Sequence, residues 1–321
     1  MKHFATFLIL ALGGLGLGVG LRFTTEKSDF RETAVLPTPA SPSPEISLIF
    51  VGDIILDRAV KSKVEKIGNG DFSYPFLKIA DVLQGVDIAA GNLEGPISDK
   101  GENVGSIYSF RMPPEALRGL TFAGFDVLFL ANNHIGDWGA EALADTVSNL
   151  ENAGIAAVGA GRTSAEAYAP EILEVKGVKI AFLAFSDFFV SGAALAEETA
   201  VTDAILGAKA TADVVVVAYH FGEEYLTEPN ERQMTLARLA IDAGADLVIG
   251  SHPHVIQPLE VYNGKYIAYS LGNFVFDQNF SEETMTGGLL KVFLEGKDIV
   301  SVALHEVGIN GDFQPELKQK N

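Results

Sequence analysis

An apolar, uncharged stretch runs from Phe4 to Leu21, preceded by Lys2 and His3 and closed by Arg22. As a helix rising about 1.5 Å per residue it would reach roughly 27 Å, nearly the depth of a bilayer's hydrocarbon core. Five glycines crowd Gly13 to Gly20, and because glycine weakens helices in water, a buried core helix fits poorly. The exit from Gly18 to Phe23 offers only a weak small-x-small cleavage site, so residues 1–22 are expected to be an uncleaved anchor rather than a removed signal peptide. Pro37, Pro39, Pro42 and Pro44 then favour an extended conformation, which makes residues 23–44 a stiff tether. Arg22, Lys27 and Arg31 follow the span while Lys2 precedes it, so charge alone does not orient it. A single-pass protein of the cell membrane with its main domain outside is the expectation.

From Glu45 the pattern changes to short apolar runs alternating with helical segments. Strands are predicted at Ser47–Ile54, Asp87–Gly91, Asp126–Ala131, Lys179–Ser186, Asp213–Tyr219, Asp246–Gly250 and Tyr266–Leu271. Pro113 and Pro114 open one helix, Trp138 to Ala153 forms another that ends at Gly154, and Arg232 to Ala243 forms a third, closed by Gly244. This alternation implies strands buried on both faces and a largely parallel arrangement. Gly287 to Gly308 reads instead as a closing hairpin around Glu295–Asp298. Residues 45–310 thus make one principal domain, and 311–321 a loose tail. The Ala-rich stretch Phe188 to Ala212 reads as helical, either a lid or a connector.

Composition narrows the chemistry. With 42 acidic and 23 basic residues the formal charge is −19, which argues against nucleic acid, whose phosphates require clustered Lys and Arg. There are no cysteines, so a metal would have to be held by nitrogen and oxygen.

Polar residues directly after apolar runs are the ones to weigh, because open α/β sheets bind ligands beyond their strand ends. Here these are Asp53, Asp57 and Arg58; Asn92 and Glu94; Asn132, Asn133 and His134; His220, Glu223 and Glu224; His252 and His254; and Asn273 and Asp277. Four of the six histidines fall at such exits, while His3 and His305 lie outside the pattern. Singly, each has a structural reading. Asp53 suits a turn or helix cap, Asn132-Asn133 a left-handed turn, His220 a core histidine, and Glu223-Glu224 a solvated loop. The segment Ser251 to His254 is harder to explain that way, since Pro253 splays two imidazoles toward one place. Mn, Fe or Zn accepts imidazole, carboxylate and amide donors, and two ions about 3.5 to 4 Å apart need six or more such groups, one of them bridging. Asp53, Glu94, Asn133, His220, His252 and His254 supply that number, leaving His134 free to give a proton to a leaving oxygen. Asn92, Arg58, Glu223, Glu224, Asn273 and Asp277 are expected around them as hydrogen-bonding support or substrate contacts.

The ordered series Gly52-Asp53, Gly91-Asn92-Leu93-Glu94, Asn132-Asn133-His134, His220 to Tyr225, Ser251 to Val255 and Ser270 to Phe274 resembles the CapA (poly-γ-glutamate capsule) family. That family is similar in turn to the calcineurin-like metallophosphatases. The resemblance implies a four-layer α-β-β-α sandwich, with Asp53, Asn133, His134, His220, His252 and His254 matching the metallophosphatase pattern. Two departures stand out. Ile55 occupies the histidine position of the usual Asp-x-His, and Asn92 stands where the bridging aspartate belongs, with Glu94 two residues on. Glu94 is expected to bridge instead, and one or two cations to bind.

The resemblance implies a role in capsule polymer assembly, with an anionic polymer or its precursor and other capsule-synthesis membrane proteins as partners. Two readings stand: a metal-dependent hydrolase, or a catalytically silent scaffold, favoured by the missing histidine. A general phosphodiesterase would need phosphate-binding groups, and Arg58 and Arg111 are the arginines near the expected site.

Overall fold

The structure is a computed structural model that describes residues 45–318. The anchor and tether expected over 1–44 lie outside those residues. Among the described residues no helix is long and apolar enough to cross a membrane.

The first sheet begins with β1 (Glu45–Ile54). It continues through α1 (Arg58–Lys66), α2 (Ala80–Gln84), β2 (Ile88–Leu93), α3 (Leu117–Ala123), β3 (Val127–Phe129), α4 (Gly139–Asn152) and β4 (Ala156–Val158). After α5 (Ser164–Tyr168) a second sheet forms from β5 (Glu171–Val175), β6 (Val178–Ser186), β7 (Val214–His220), β8 (Leu247–Ser251), β9 (Leu259–Tyr262) and β10 (Lys265–Ala268). α6 (Glu198–Lys209) and α7 (Glu231–Ala243) connect its central strands. The chain then returns to the first sheet as β11 (Asn273–Val275), β12 (Thr286–Glu295), β13 (Asp298–Ile309) and β14 (Pro315–Leu317). Strand order is β14-β13-β12-β1-β2-β3-β4, with β11 also on β1, in the eight-stranded sheet and β5-β6-β7-β8-β10-β9 in the six-stranded one.

The parallel arrangement expected from the alternation holds for β1 to β4 and for β6, β7, β8 and β10. It fails at β5 and β9, which pair antiparallel, while β12 and β13 form the closing hairpin expected there, extended by β14. Short turns rather than helical crossovers join β5 to β6, β9 to β10 and β12 through β14, so these neighbours reverse direction. The tail expected to be loose after Asn310 also differs: Pro315 to Leu317 pairs with Ile309 to Val307. Proline is tolerated there because an edge strand can leave its outer backbone positions unpaired.

Three apolar clusters order the layers. Leu48 and Phe50 of β1 meet Phe182, Val216 and Ile249 between the sheets. On the far side of the first sheet, Ile49 and Leu128 pack with Val60, Leu83, Leu120 and Val147 of α1 to α4. On the far side of the second, Leu183, Val217 and Val248 pack with Val201, Ile205, Leu236 and Ile241 of α6 and α7. Helix, sheet, sheet and helix therefore follow one another. Burying each of these large aliphatic side chains contributes about 1.5–3 kcal/mol before conformational entropy is subtracted.

Two boundaries show how sequence sets the elements. α7 starts from Asn230, whose side chain accepts from Gln233 N while Gln233 caps the Asn230 backbone in return, and it ends at Gly244 with φ +117°. The helical reading of Phe188 to Ala212 holds only from Glu198; the residues before it form a loop that bridges to Ser186 and Ala160.

Candidate metal centre

Parallel pairing carries the ends of β1, β2 and β3 to one rim of the first sheet and those of β7 and β8 to the facing rim of the second. Gly52 permits the close crossing that starts the site. A Cβ there would lie 1.8 Å from Gly272 O, and the bare backbone instead lets Asp53 N donate to Gly272 O at 2.9 Å. Asp53 consequently sits beside Asn273.

The six predicted ligands converge. Asp53 Oδ1 accepts from Asn92 Nδ2 at 2.8 Å, and its Oδ2 lies 3.1 Å from His254 Nδ1 and 3.4 Å from the His252 amide. His254 Nδ1 also faces Asn273 Oδ1 at 3.0 Å. Both neighbours accept, so Nδ1 donates and Nε2 is left toward Glu94 Oε1, 3.8 Å away. Across the cleft, the Ser251 hydroxyl donates to Tyr219 O at 3.2 Å, so its oxygen accepts from His220 Nδ1, also at 3.2 Å. His220 Nε2 then turns its lone pair toward Asn133 Oδ1 at 2.9 Å and His252 Nδ1 at 3.1 Å. Glu94 Oε1 is buried without any hydrogen-bond partner. A proton-free nitrogen facing an amide oxygen, beside an orphaned carboxylate oxygen, is the donor set a divalent cation satisfies. The residues therefore fit such an ion, with Asp53, Glu94 and His220 offering atoms within 4.8 Å of one another.

The electrostatics agree. Burial, then the neighbouring imidazoles, push His252 down to about 3 and His220 well below its ordinary value, so both stay neutral with lone pairs available. Glu94 is pushed up to about 7, chiefly by burial. Burial also opposes charge on His254, but Glu94 and Asp53 outweigh it and raise this imidazole to about 9. A proton on His254 and a divalent cation answer the same demand of two buried carboxylates.

His134 stands beside this cluster with Nε2 3.9 Å from Glu94 Oε1. Its Nδ1 lies 2.8 Å from Asp137 Oδ2. A carboxylate only accepts, so Nδ1 carries the proton and Nε2 is the working atom. Asp137 is itself fixed by Ser106 Oγ at 2.8 Å and Phe110 N at 2.9 Å, and the Phe110 ring stacks on His134 at 4.0 Å.

The surrounding residues divide. Asn92 and Asn273 orient Asp53 and His254 as described, and Glu224 reaches His252 and His254. Arg58 pairs through both Nη2 and Nε with Asp277 and lies 4.7 Å from the Phe110 ring centre, so the two form a wall of the cleft. Glu223 and Glu224 are both exposed, on a loop bent by Gly222 at φ +94° and Tyr225 at φ +66°, and of the two it is Glu224 that reaches the histidines while Glu223 stays outside the cluster. Arg111 stacks on Trp138 at 3.5 Å and takes no part in the cleft. Ile55 is buried in the apolar cluster behind the sheet and supplies no ligand.

Sequence reasoning missed Asp137, Ser251 as a partner of His220, and Phe188, whose ring centre lies 4.3 Å from that of His252. The His134-x-x-Asp137 spacing was the available signal for the first; Phe188 gave none. The cleft over the cluster holds about 360 Å³ and is walled by Arg58, Tyr108, Phe110, Tyr225 and Phe280. A larger cavity of about 760 Å³, between α4 and the Phe189 to Leu195 loop, contains none of the six ligands.

Comparison with solved structures shows where the fold recurs. The crystal structure of a hypothetical protein from Thermus thermophilus matches with TM-score 0.54 at 17% identity, covering 81% of this chain and 98% of that one. A novel phosphatase from Mycoplasma pneumoniae matches with TM-score 0.52 at 13% identity, covering 83% and 94%. At these identities the two matches show a shared two-sheet α/β fold. Residues 47–278 match the family described as bacterial capsule synthesis protein PGA_cap, and the chain belongs to that family. The capsule biosynthesis protein CapA of Bacillus anthracis is 36% identical over 268 residues, and the PGA biosynthesis protein CapA of Bacillus subtilis 35% identical over 292. These alignments cover 78% and 86% of this chain, and 64% and 76% of the respective relatives.

Proposed function

We propose that the protein is a membrane-anchored, extracytoplasmic member of the capsule-polymer machinery that acts as a divalent-cation-dependent hydrolase on an anionic capsule polymer or its precursor. The supporting observation is the orphaned Glu94 Oε1, clustered with Asp53 and the neutral His220 and facing His254 Nε2 at 3.8 Å. Asp53, Glu94, Asn133, His220, His252 and His254 would hold one or two ions of Mn, Fe or Zn. Such ions, when bound, supply Lewis-acid polarisation of a substrate oxygen. His134 would serve the departing oxygen as an imidazolium that gives up its Nε2 proton, while Asp137, accepting from Nδ1–H, steadies that cation and fixes the ring orientation. Phe110 shields one face of the imidazole from water. The polymer class follows from the family and from the names of the two relatives. Polyglutamate would be repelled by a protein of charge −19, and bound cations would offset that repulsion locally. Other capsule-synthesis membrane proteins are the natural neighbours of such an activity.

The second reading, a silent scaffold for the polymer, is favoured by Ile55, which leaves the cluster one nitrogen ligand short. The two separate in cells lacking the native gene. Wild-type protein should restore surface polymer, while Asn133→Ala and His252→Ala should not. Full restoration by both variants would favour the scaffold and overturn the hydrolase.

A further inference from the structure

With Ile55 turned into the apolar core, the cluster needs another donor, and it comes from the second sheet's rim. A carboxylate oxygen of Glu224 lies within 4.8 Å of ring nitrogens of both His252 and His254, while Asp53, Glu94 and His220 form a separate trio under the same limit. The first trio contains an exposed residue, and the second is wholly buried.

Glu224 does not reach the histidines by chance motion of a free loop. Tyr225 N donates to Pro253 O at 2.8 Å, tying the loop to the residue between the two histidines. Tyr225 Oη accepts from Gln278 Nε2 at 3.1 Å. Gln257 Nε2 donates to Leu226 O at 2.8 Å and to Glu228 O at 3.2 Å, and Gln257 in turn accepts from Gln233 at 2.8 Å. The backbone is left-handed at Tyr225 (φ +66°), His252 (φ +98°) and His254 (φ +59°). Side chains other than glycine seldom take that conformation, and they hold it where surrounding contacts demand it, often at ligand sites. Here all three residues carry or flank the would-be ligand atoms.

Resting on the cation-binding reading above, we infer that Glu224 is a cation ligand. The cluster is then two unequal half-sites: a buried one built on Asp53, Glu94 and His220, and an exchangeable one built on Glu224, His252 and His254. An oxygen donor replaces the nitrogen that Ile55 cannot give, which shifts the second half-site toward harder cations such as Mn²⁺. Its solvent-facing arm lets the ion leave without opening the core.

The test uses the full-length chain in detergent, stripped with chelator and titrated with Mn²⁺ alone by calorimetry, with electron paramagnetic resonance as a second readout. Wild type should bind in two phases. Glu224→Gln should weaken the weaker phase by about 10- to 100-fold, leave the tighter one unchanged, and lose the spin coupling between neighbouring ions. Glu223→Gln, altering the adjacent exposed carboxylate, should change neither phase. Retention of the wild-type circular dichroism by Glu224→Gln separates a lost ligand from a lost fold, and Glu224→Asp, with a shorter arm, should fall between. If Glu224→Gln titrates like wild type, this inference fails while the cation-binding reading stands. If wild type binds no Mn²⁺, both fail together.

Discussion

His134 draws its assigned role from a neighbour three residues away. Because the Asp137 carboxylate can only accept, it fixes the proton on Nδ1 and leaves Nε2 facing Glu94. His134→Gln should therefore leave cation content, read by elemental analysis, unchanged while lowering any hydrolytic turnover about 10²- to 10⁴-fold. Equal turnover would remove its acid role. Asp137→Asn should give a smaller loss and shift the pH profile of turnover, an effect that a purely structural role for Asp137 would not produce. The convergence of the six expected ligands was legible because each follows directly on an apolar run, where a parallel sheet delivers polar groups to one rim. Asp137 was signalled only by its three-residue spacing from His134, and Phe188 not at all, since its contact with His252 arises only when separate loops fold over the rim. Glu223 was indistinguishable from Glu224 by sequence, because adjacent acidic residues on one exposed loop differ only in where the folded loop places them.

Two elements fix where the rims meet, and each can be perturbed away from the ligands. Gly52 lets β11 lie against β1, and Gly52→Ala would drive a methyl into Gly272 O. A loss of about 1–3 kcal/mol is expected in urea unfolding, as for other overpacked sites. Behind the opposite end of the second sheet, Asp246 accepts from Lys209 and Lys265, each at 2.7 Å, and from Val215 N at 2.9 Å. Burial pushes its carboxyl up, but these donors outweigh burial and hold it below the usual value. A carboxyl depressed in the folded state stabilises above its unfolded value of about 3.9 and loses that contribution as pH falls through the folded value. Asp246→Asn should thus cost about 1–3 kcal/mol at pH 7, with the difference from wild type closing as pH falls through the depressed folded value. The long apolar strands such as β1, β6 and β7 were legible because they are buried on both faces. The short β4 and the edge strands β5, β9 and β14 carry partly exposed or broken patterns, and only pairing with a neighbour defines them.

At the scale of the whole chain, a protein of charge −19 would repel the proposed acidic polymer unless bound cations or a local basic pocket offset that charge. Saturating Mn²⁺ should raise the unfolding temperature of chelator-stripped protein, since an ion that binds only the folded state stabilises it by mass action. Removal of residues 1–44 should move the protein from the membrane to the soluble fraction in cell fractionation. Retention at the membrane would contradict the proposed anchor. The most direct measurement is anomalous diffraction, at the manganese edge, from a crystal grown with Mn²⁺. A peak bounded by Asp53, Glu94, Asn133, His220, His252 and His254 is the expected result. Full-occupancy density for those side chains with no anomalous peak among them would contradict a cation centre at this rim.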